Sequence, residues 1–157
     1  SVHCYISQYY VNAFEPYRSK TSVILEIGVN EGQSLEMWNE YFNSTKVIGV
    51  DIADTGYNPS STNIQLKYGK AQNKNTFDGI DDLDIVIDDG SHKFNHQIKT
   101  FEILFPRLRA GGLYIIEDVQ QIDLSASKFK NLAKNVTIFD LRKISKRKDS
   151  VIVEITK

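Results

Sequence analysis

Two acidic pairs, each closing an apolar run, carry the most chemical promise in this sequence. Asp88-Asp89 leads into Gly90-Ser91-His92, and Glu117-Asp118 follows Leu113-Tyr114-Ile115-Ile116. Carboxylates gathered in one cleft repel one another unless they are protonated, separated or bridged by a cation. Donor sets made only of oxygen select Mg2+, Ca2+ or Mn2+ over zinc. With Asp89, Glu117 and Asp118 at neighbouring strand ends, a divalent cation is the favoured reading. The alternative makes Asp88-Asp89 the start of a turn and Glu117-Asp118 a cap. Neighbouring strand residues point to opposite sides, so Asp88 and Asp89 are expected to do different jobs. His92 sits just beyond the first pair, and imidazole titrates near neutral pH, as a general base should. His96, one helical turn later, is read as a structural or orienting partner.

A second constellation is Glu26-Ile27-Gly28-Val29-Asn30-Glu31-Gly32, with Asp51 23 residues past Gly28. Gly28 permits a sharp turn at a strand end, and Gly32 permits close approach of a ligand or helix. A carboxylate ending the next strand accepts hydrogen bonds from ribose hydroxyls. Asn30 stands where a nicotinamide-binding turn has its second glycine, so a nucleoside without phosphates fits better than a dinucleotide.

These residues need a scaffold that gathers them. Val23–Gly28, Val47–Asp51, Ile85–Asp89 and Leu113–Asp118 are apolar runs ending in polar turns. Continuous β-branched runs read as strands buried on both faces of a parallel sheet covered by helices. In such a sheet the carboxyl ends share one edge, where open α/β folds bind ligands. Amphipathic spacing predicts helices over Ile6–Tyr17 (ending near Pro16), Ser34–Phe42, Phe94–Phe105 and Ser125–Ala133. Trp38 and the tyrosines of the first helix fall at core spacing. Further strands are expected at Asn63–Tyr68 and at Val136–Ile144 with Ser150–Ile155, the last two forming an antiparallel hairpin. Gly111-Gly112 reads as the turn into the fifth strand. The fold class is therefore α/β: a Rossmann-like, doubly wound, mostly parallel seven-stranded sheet with a C-terminal antiparallel hairpin.

The bulk composition narrows the partners. The 157 residues carry a formal charge of −1 with 41% apolar residues, which predicts one globular domain over 1–157 and gives no electrostatic case for nucleic acid or a membrane. Lys143, Lys146, Arg147 and Lys148 read as a solvated hairpin tip. A single cysteine, Cys4, rules out an internal disulfide. No leader or long apolar span is visible, so a cytoplasmic location is the default expectation. The chain starts without Met and with apolar-aromatic spacing at once, which reads as a truncated amino terminus.

The E-x-G-x-x-x-G run, the Asp closing the second strand and the terminal hairpin resemble class I S-adenosylmethionine-dependent methyltransferases over nearly the whole chain. The D-D-G-S-H and I-E-D pair is more specific. It resembles the metal-dependent branch holding macrolide-sugar O-methyltransferases and cephalosporin-hydroxylase-like proteins. That resemblance implies S-adenosylmethionine as cofactor, held by Glu26, Gly28, Asn30, Gly32, Ser34, Asp51, Ile52 and Asp88. It implies Mg2+, or another oxygen-liganded divalent cation, on Asp89, Glu117 and Asp118, with His92 as general base. The acceptor would be a hydroxyl of a small polar molecule such as a sugar; the oligomeric state stays open. Lys70 departs from the family's acidic residue near the adenine, and His3-Cys4-Tyr5 resembles a stretch that covers the cofactor. Two alternatives remain. A nicotinamide oxidoreductase lacks its second glycine and a Tyr-x-x-x-Lys pair here. A non-catalytic cofactor-binding module is kept open by the short segment between Asp118 and Val136.

Overall fold

The computed structural model describes residues 9–43 and 45–157. Seven strands form one sheet: β1 (Val23–Ile27), β2 (Lys46–Asp51), β3 (Ile64–Tyr68), β4 (Leu83–Asp88), β5 (Leu108–Ile116), β6 (Asn135–Asp140) and β7 (Val151–Thr156). Their order is β3-β2-β1-β4-β5-β7-β6. β1 pairs in parallel with β2 and β4, β2 with β3, and β4 with β5. β7 runs antiparallel between β5 and β6. The order reverses between β1 and β4, which creates the crevice at which open α/β sheets bind ligands.

Helices cover both faces, as the continuous apolar strands require. One face packs α1 (Val11–Phe14) and α2 (Gln33–Phe42) through Phe14, Leu35, Trp38 and Phe42 against Ile24, Val47, Ile85 and Leu113. The other packs α3 (Phe94–Leu104) and α4 (Ile122–Leu132) through Ile98, Phe101, Leu104 and Phe129 against Leu25, Val86 and Tyr114. Pro16 opens a 3-10 turn, Glu15–Tyr17, where the first helix was expected to end. No helix of the described residues is long and apolar enough to cross a membrane.

Three local expectations are corrected. Gly111-Gly112 lies inside β5 as a bulge: the register slips between the Leu83 and Ile85 pairings, and Gly111 takes φ +76°. The predicted Val136–Ile144 strand stops at Asp140, whose carboxylate accepts the Arg142 amide at 3.2 Å and starts a short helix, α5 (Arg142–Ser145). The segment expected as a helix from Ser125 begins earlier, at Ile122. His3-Cys4-Tyr5 and the start of the Ile6–Tyr17 helix lie outside the described residues.

Candidate active site

The backbone ladder itself brings the motifs together. The Gly28 amide donates to Val50 at 2.9 Å, the Asp89 amide to Ile27 at 3.0 Å and the Glu117 amide to Asp88 at 3.0 Å. The ends of β2, β1, β4 and β5 are thus pinned side by side. Gly28 has φ +94°, and a Cβ there would lie 2.3 Å from the Asp89 carbonyl oxygen. Only glycine lets these two turns approach so closely.

Gly28 separates two cavities. The larger, about 220 Å3, is lined by Val50, Asp51, Ile52, Lys70, Asp88 and His96 among others. The smaller, about 110 Å3, is lined by Glu26, Asn30, Ser34, Asp89 and Glu117, with Tyr10 and Trp38 at its back. The Asp51 carboxylate accepts the backbone amides of Val29 at 2.8 Å, Asn30 at 3.4 Å and Ile52 at 2.7 Å. It therefore shapes the first turn as well as facing the larger cavity. Lys70, which departs from the acidic pattern, also lines this cavity. Asp88 is buried, one carboxylate oxygen accepting from the Gly90 amide at 3.3 Å and the other left without a partner. Burial pushes its carboxyl up to about 7.

The smaller cavity is acidic. Glu26 is buried and accepts hydrogen bonds from Ser34 Oγ at 2.5 Å and from the Trp38 indole. Burial pushes it up to about 7 against the pull of those two donors. Glu117 accepts from the Tyr10 hydroxyl. Burial raises the carboxyls of both Glu117 and Asp89; the charges of Glu26 and Asp118 raise both further, Glu117 also raises Asp89, and the Tyr10 hydroxyl and Arg147 hold Glu117 back. Such a set favours a ligand that brings positive charge.

Asp89, His92 and Asp118 present donor atoms within 4.8 Å of one another. Two carboxylates and an imidazole suit a divalent cation, and His92 Nδ1 is buried without a hydrogen-bond partner, 4.0 Å from Asp89 Oδ1. Glu117 is outside this trio and faces the smaller cavity. Asn30, His92 and Asp118 all adopt positive φ, between 49° and 55°. Asn43, Asp82 and Lys146 also adopt positive φ elsewhere, and Asn, Asp and His are the residue types that tolerate this region. Arg147, expected in a solvated tip, instead reaches Asp118 at 3.2 Å and Asp149 at 3.1 Å. His96 is hydrogen-bonded to Ser91 at 2.8 Å and lines the larger cavity. Sequence reasoning missed Tyr10 and Arg147 as neighbours of the acids, and it treated Trp38 as core alone. No local spacing signals those contacts, which join elements far apart in the chain.

Sheet order, crevice and acidic turns define a class I methyltransferase fold. No protein-family model matches the chain, but individual relatives do. By fold and sequence it belongs with the metal-dependent sugar O-methyltransferase branch of that class. It is 40% identical over 129 residues to the 8-demethyl-8-alpha-L-rhamnosyl tetracenomycin-C 2'-O-methyltransferase of Streptomyces olivaceus, across 76% of this chain and 34% of that protein. It is 36% identical over 126 residues to the mycinamicin VI 2''-O-methyltransferase of Micromonospora griseorubida, across 73% and 31%. Among solved structures, the MycE methyltransferase in complex with Mg, SAH and mycinamycin VI superposes with a TM-score of 0.76 at 26% identity, covering 97% of this chain and 49% of MycE. A Methanococcus jannaschii fibrillarin, 15% identical with a TM-score of 0.73 over 88% of this chain and 67% of its own, shares the fold alone. The chain spans about a third of the length of the curated relatives it matches.

Proposed function

We propose that residues 1–157 form the cofactor-binding and catalytic domain of an S-adenosylmethionine-dependent, divalent-metal-dependent O-methyltransferase acting on a hydroxyl of a small polar acceptor, in particular a sugar. The observation that carries this is the carboxylate pair Asp89 and Asp118, with the His92 imidazole within 4.8 Å of both, set against paired cavities that meet at Gly28. The relatives are named for O-methylation of a rhamnosyl tetracenomycin-C and of mycinamicin VI, and the rhamnosyl group supports the acceptor class. S-adenosylmethionine suits the cavities by its chemistry: a phosphate-free nucleoside beside Asp51 and Ile52, and a cationic sulfonium and ammonium beside Glu26, Asp89 and Glu117. Gly32 and Asn30 form the turn between them, and Ser34 holds Glu26 in place.

Asp89 and Asp118, with Glu117 beside them, are the residues to hold the metal. A bound divalent cation supplies positive charge that orients an acceptor hydroxyl and lowers its pKa. His92 accepts the hydroxyl proton as the oxygen bonds to the methyl carbon, while the carbon–sulfur bond breaks and its electron pair stays on sulfur. The rest of the rate comes from holding the two reactants in line.

A second reading follows from the trio itself: His92 is a metal ligand, and the proton leaves to solvent. Thermal-shift titration separates the cofactor classes. S-adenosylmethionine and SAH are expected to raise the midpoint, because a ligand bound only by the native state stabilises it. NAD and NADP are expected to leave it unchanged. Stabilisation by NAD or NADP with none by SAH overturns the proposal.

A further inference from the structure

Two buried acids border the smaller cavity, and an aromatic donor grips each from behind. Trp38 donates its indole N–H to Glu26, and Tyr10 donates its hydroxyl to Glu117. Glu26 belongs to β1, and Glu117 lies just past the end of β5, with β4 between them. The two rings meet at 5.1 Å between centroids, inclined by 55°. Phe14 completes a triangle, 4.8 Å from Tyr10 and 5.1 Å from Trp38. Tyr10 and Trp38 are each only 5% exposed.

We infer that Tyr10 and Trp38 are positioning residues: a two-ring bridge through which ligand binding at Glu26 and cation binding at the Glu117 acid cluster reinforce each other. The inference rests on the proposed function, which supplies the two ligands. Its physical basis is the packing. Interiors packed at crystal density do not let one ring tilt while its neighbour stays put. A cation held by Asp89 and Asp118 attracts the Glu117 carboxylate beside them and so pulls on the Tyr10 hydroxyl, and the tilt passes to Trp38 and so to Glu26. A cationic ligand at Glu26 works the same path in reverse, and linkage requires the two effects on affinity to be equal. Neither ring touches a reacting atom in this scheme.

Trp38 is the sole tryptophan of the sequence, so its emission reports on the bridge directly. In the unmodified protein, saturating Mg2+ without nucleoside is expected to change Trp38 fluorescence. Calorimetry is expected to give an SAH Kd about fivefold or more lower in Mg2+ than in EDTA, within the usual range of coupling. Tyr10→Phe keeps the ring and removes the hydroxyl. It is expected to bring the two Kd values together and to silence the Mg2+ fluorescence response, while SAH still binds. Equal Kd values in the unmodified protein, or an undiminished ratio in Tyr10→Phe, overturn the inference. Should Tyr10→Phe fail to fold, the unmodified protein decides: an Mg2+ response supports the bridge, and unchanged emission at saturating Mg2+ rejects it. If SAH and Mg2+ both bind but independently, only the bridge fails; if neither binds, the functional proposal itself fails.

Discussion

Glu26→Gln tests whether the smaller cavity holds an acid that is costly to ionise. The side chain is buried, and burial outweighs its two hydrogen bonds to lift the carboxyl from 4.5 to about 7. A carboxyl raised on folding contributes stability that is present below its unfolded pKa and is lost as pH rises through its folded one. At about 1.36 kcal/mol per pKa unit, the full loss is roughly 3 kcal/mol, of which about 2.5 kcal/mol falls between pH 5 and pH 8. Glutamine keeps the shape and carries no titrating group. Its amide oxygen can accept from the Trp38 indole while its N–H donates to Ser34 Oγ, and any mismatch shifts its stability by a constant amount at every pH. The assay is urea unfolding of both proteins in EDTA at several pH values, with the difference in free energy plotted against pH; groups that do not feel Glu26 cancel in that difference, and removing its charge from beside Asp89 and Glu117 adds to it in the same direction. The glutamine variant is expected to gain on the parent by at least about 2.5 kcal/mol from pH 5 to pH 8. A difference that stays flat within about 0.5 kcal/mol, ordinary scatter for independent sites, means that Glu26 is not held in a charge-averse cavity. The argument for a cationic ligand there would then lose its footing.

Three other outcomes are expected. Asp51→Ala should weaken SAH by about 1–3 kcal/mol in calorimetry, the scale of lost hydrogen bonds to a charged group; because Asp51 also takes three backbone amides, it should lower the Tm too, and unchanged affinity with the fold intact would place the ribose elsewhere. His92→Ala should cut turnover by about 10²–10⁴-fold if the imidazole is the base, with Mg2+ affinity preserved, whereas a matching loss of Mg2+ affinity identifies it as a ligand. Gly28→Ala sets a Cβ against the Asp89 carbonyl at a positive φ and should cost more than about 2 kcal/mol in chemical denaturation; a neutral result would mean that the two turns are free to part.

The strand core was legible because both-face burial leaves continuous β-branched runs, and all seven strands were anticipated. Parallel pairing then placed Gly28, Asp51, Asp88 and Glu117 at one edge from sequence alone. The Gly111-Gly112 bulge was not legible, since two glycines signal a turn and a register slip equally well. Nor was the break at Asp140, where the carboxylate takes the Arg142 amide and the chain turns into a short helix in place of a strand running to Ile144. Within the site, the pattern identified which acids end strands but not what holds them. Tyr10 bonds Glu117 across 107 positions of sequence, and Arg147 meets Asp118 across 29. Contacts of that range are set by tertiary packing, and no periodicity records them. Asp51 carries a related lesson: its type and place were read for a ribose partner alone, whereas its oxygens organise the turn beside it.

The antiparallel insertion of β7 divides the sheet into two territories. β6 ends and β7 begins at the ligand edge, so the whole connection between them, residues 141–150, stands over the acids rather than crossing to the far side. A parallel last strand would have carried its entry away from the crevice. The larger cavity runs from the ends of β1–β3 across to Asp88 and His96, while residues 141–150 frame the ground beside Asp118, which Arg147 reaches at 3.2 Å. On the proposed function, residues 141–150 are placed to diverge with the acceptor while the turns after β1 and β2 keep the cofactor. Variation among natural homologues of this chain is accordingly expected to concentrate in that connection and to spare the turns after β1 and β2.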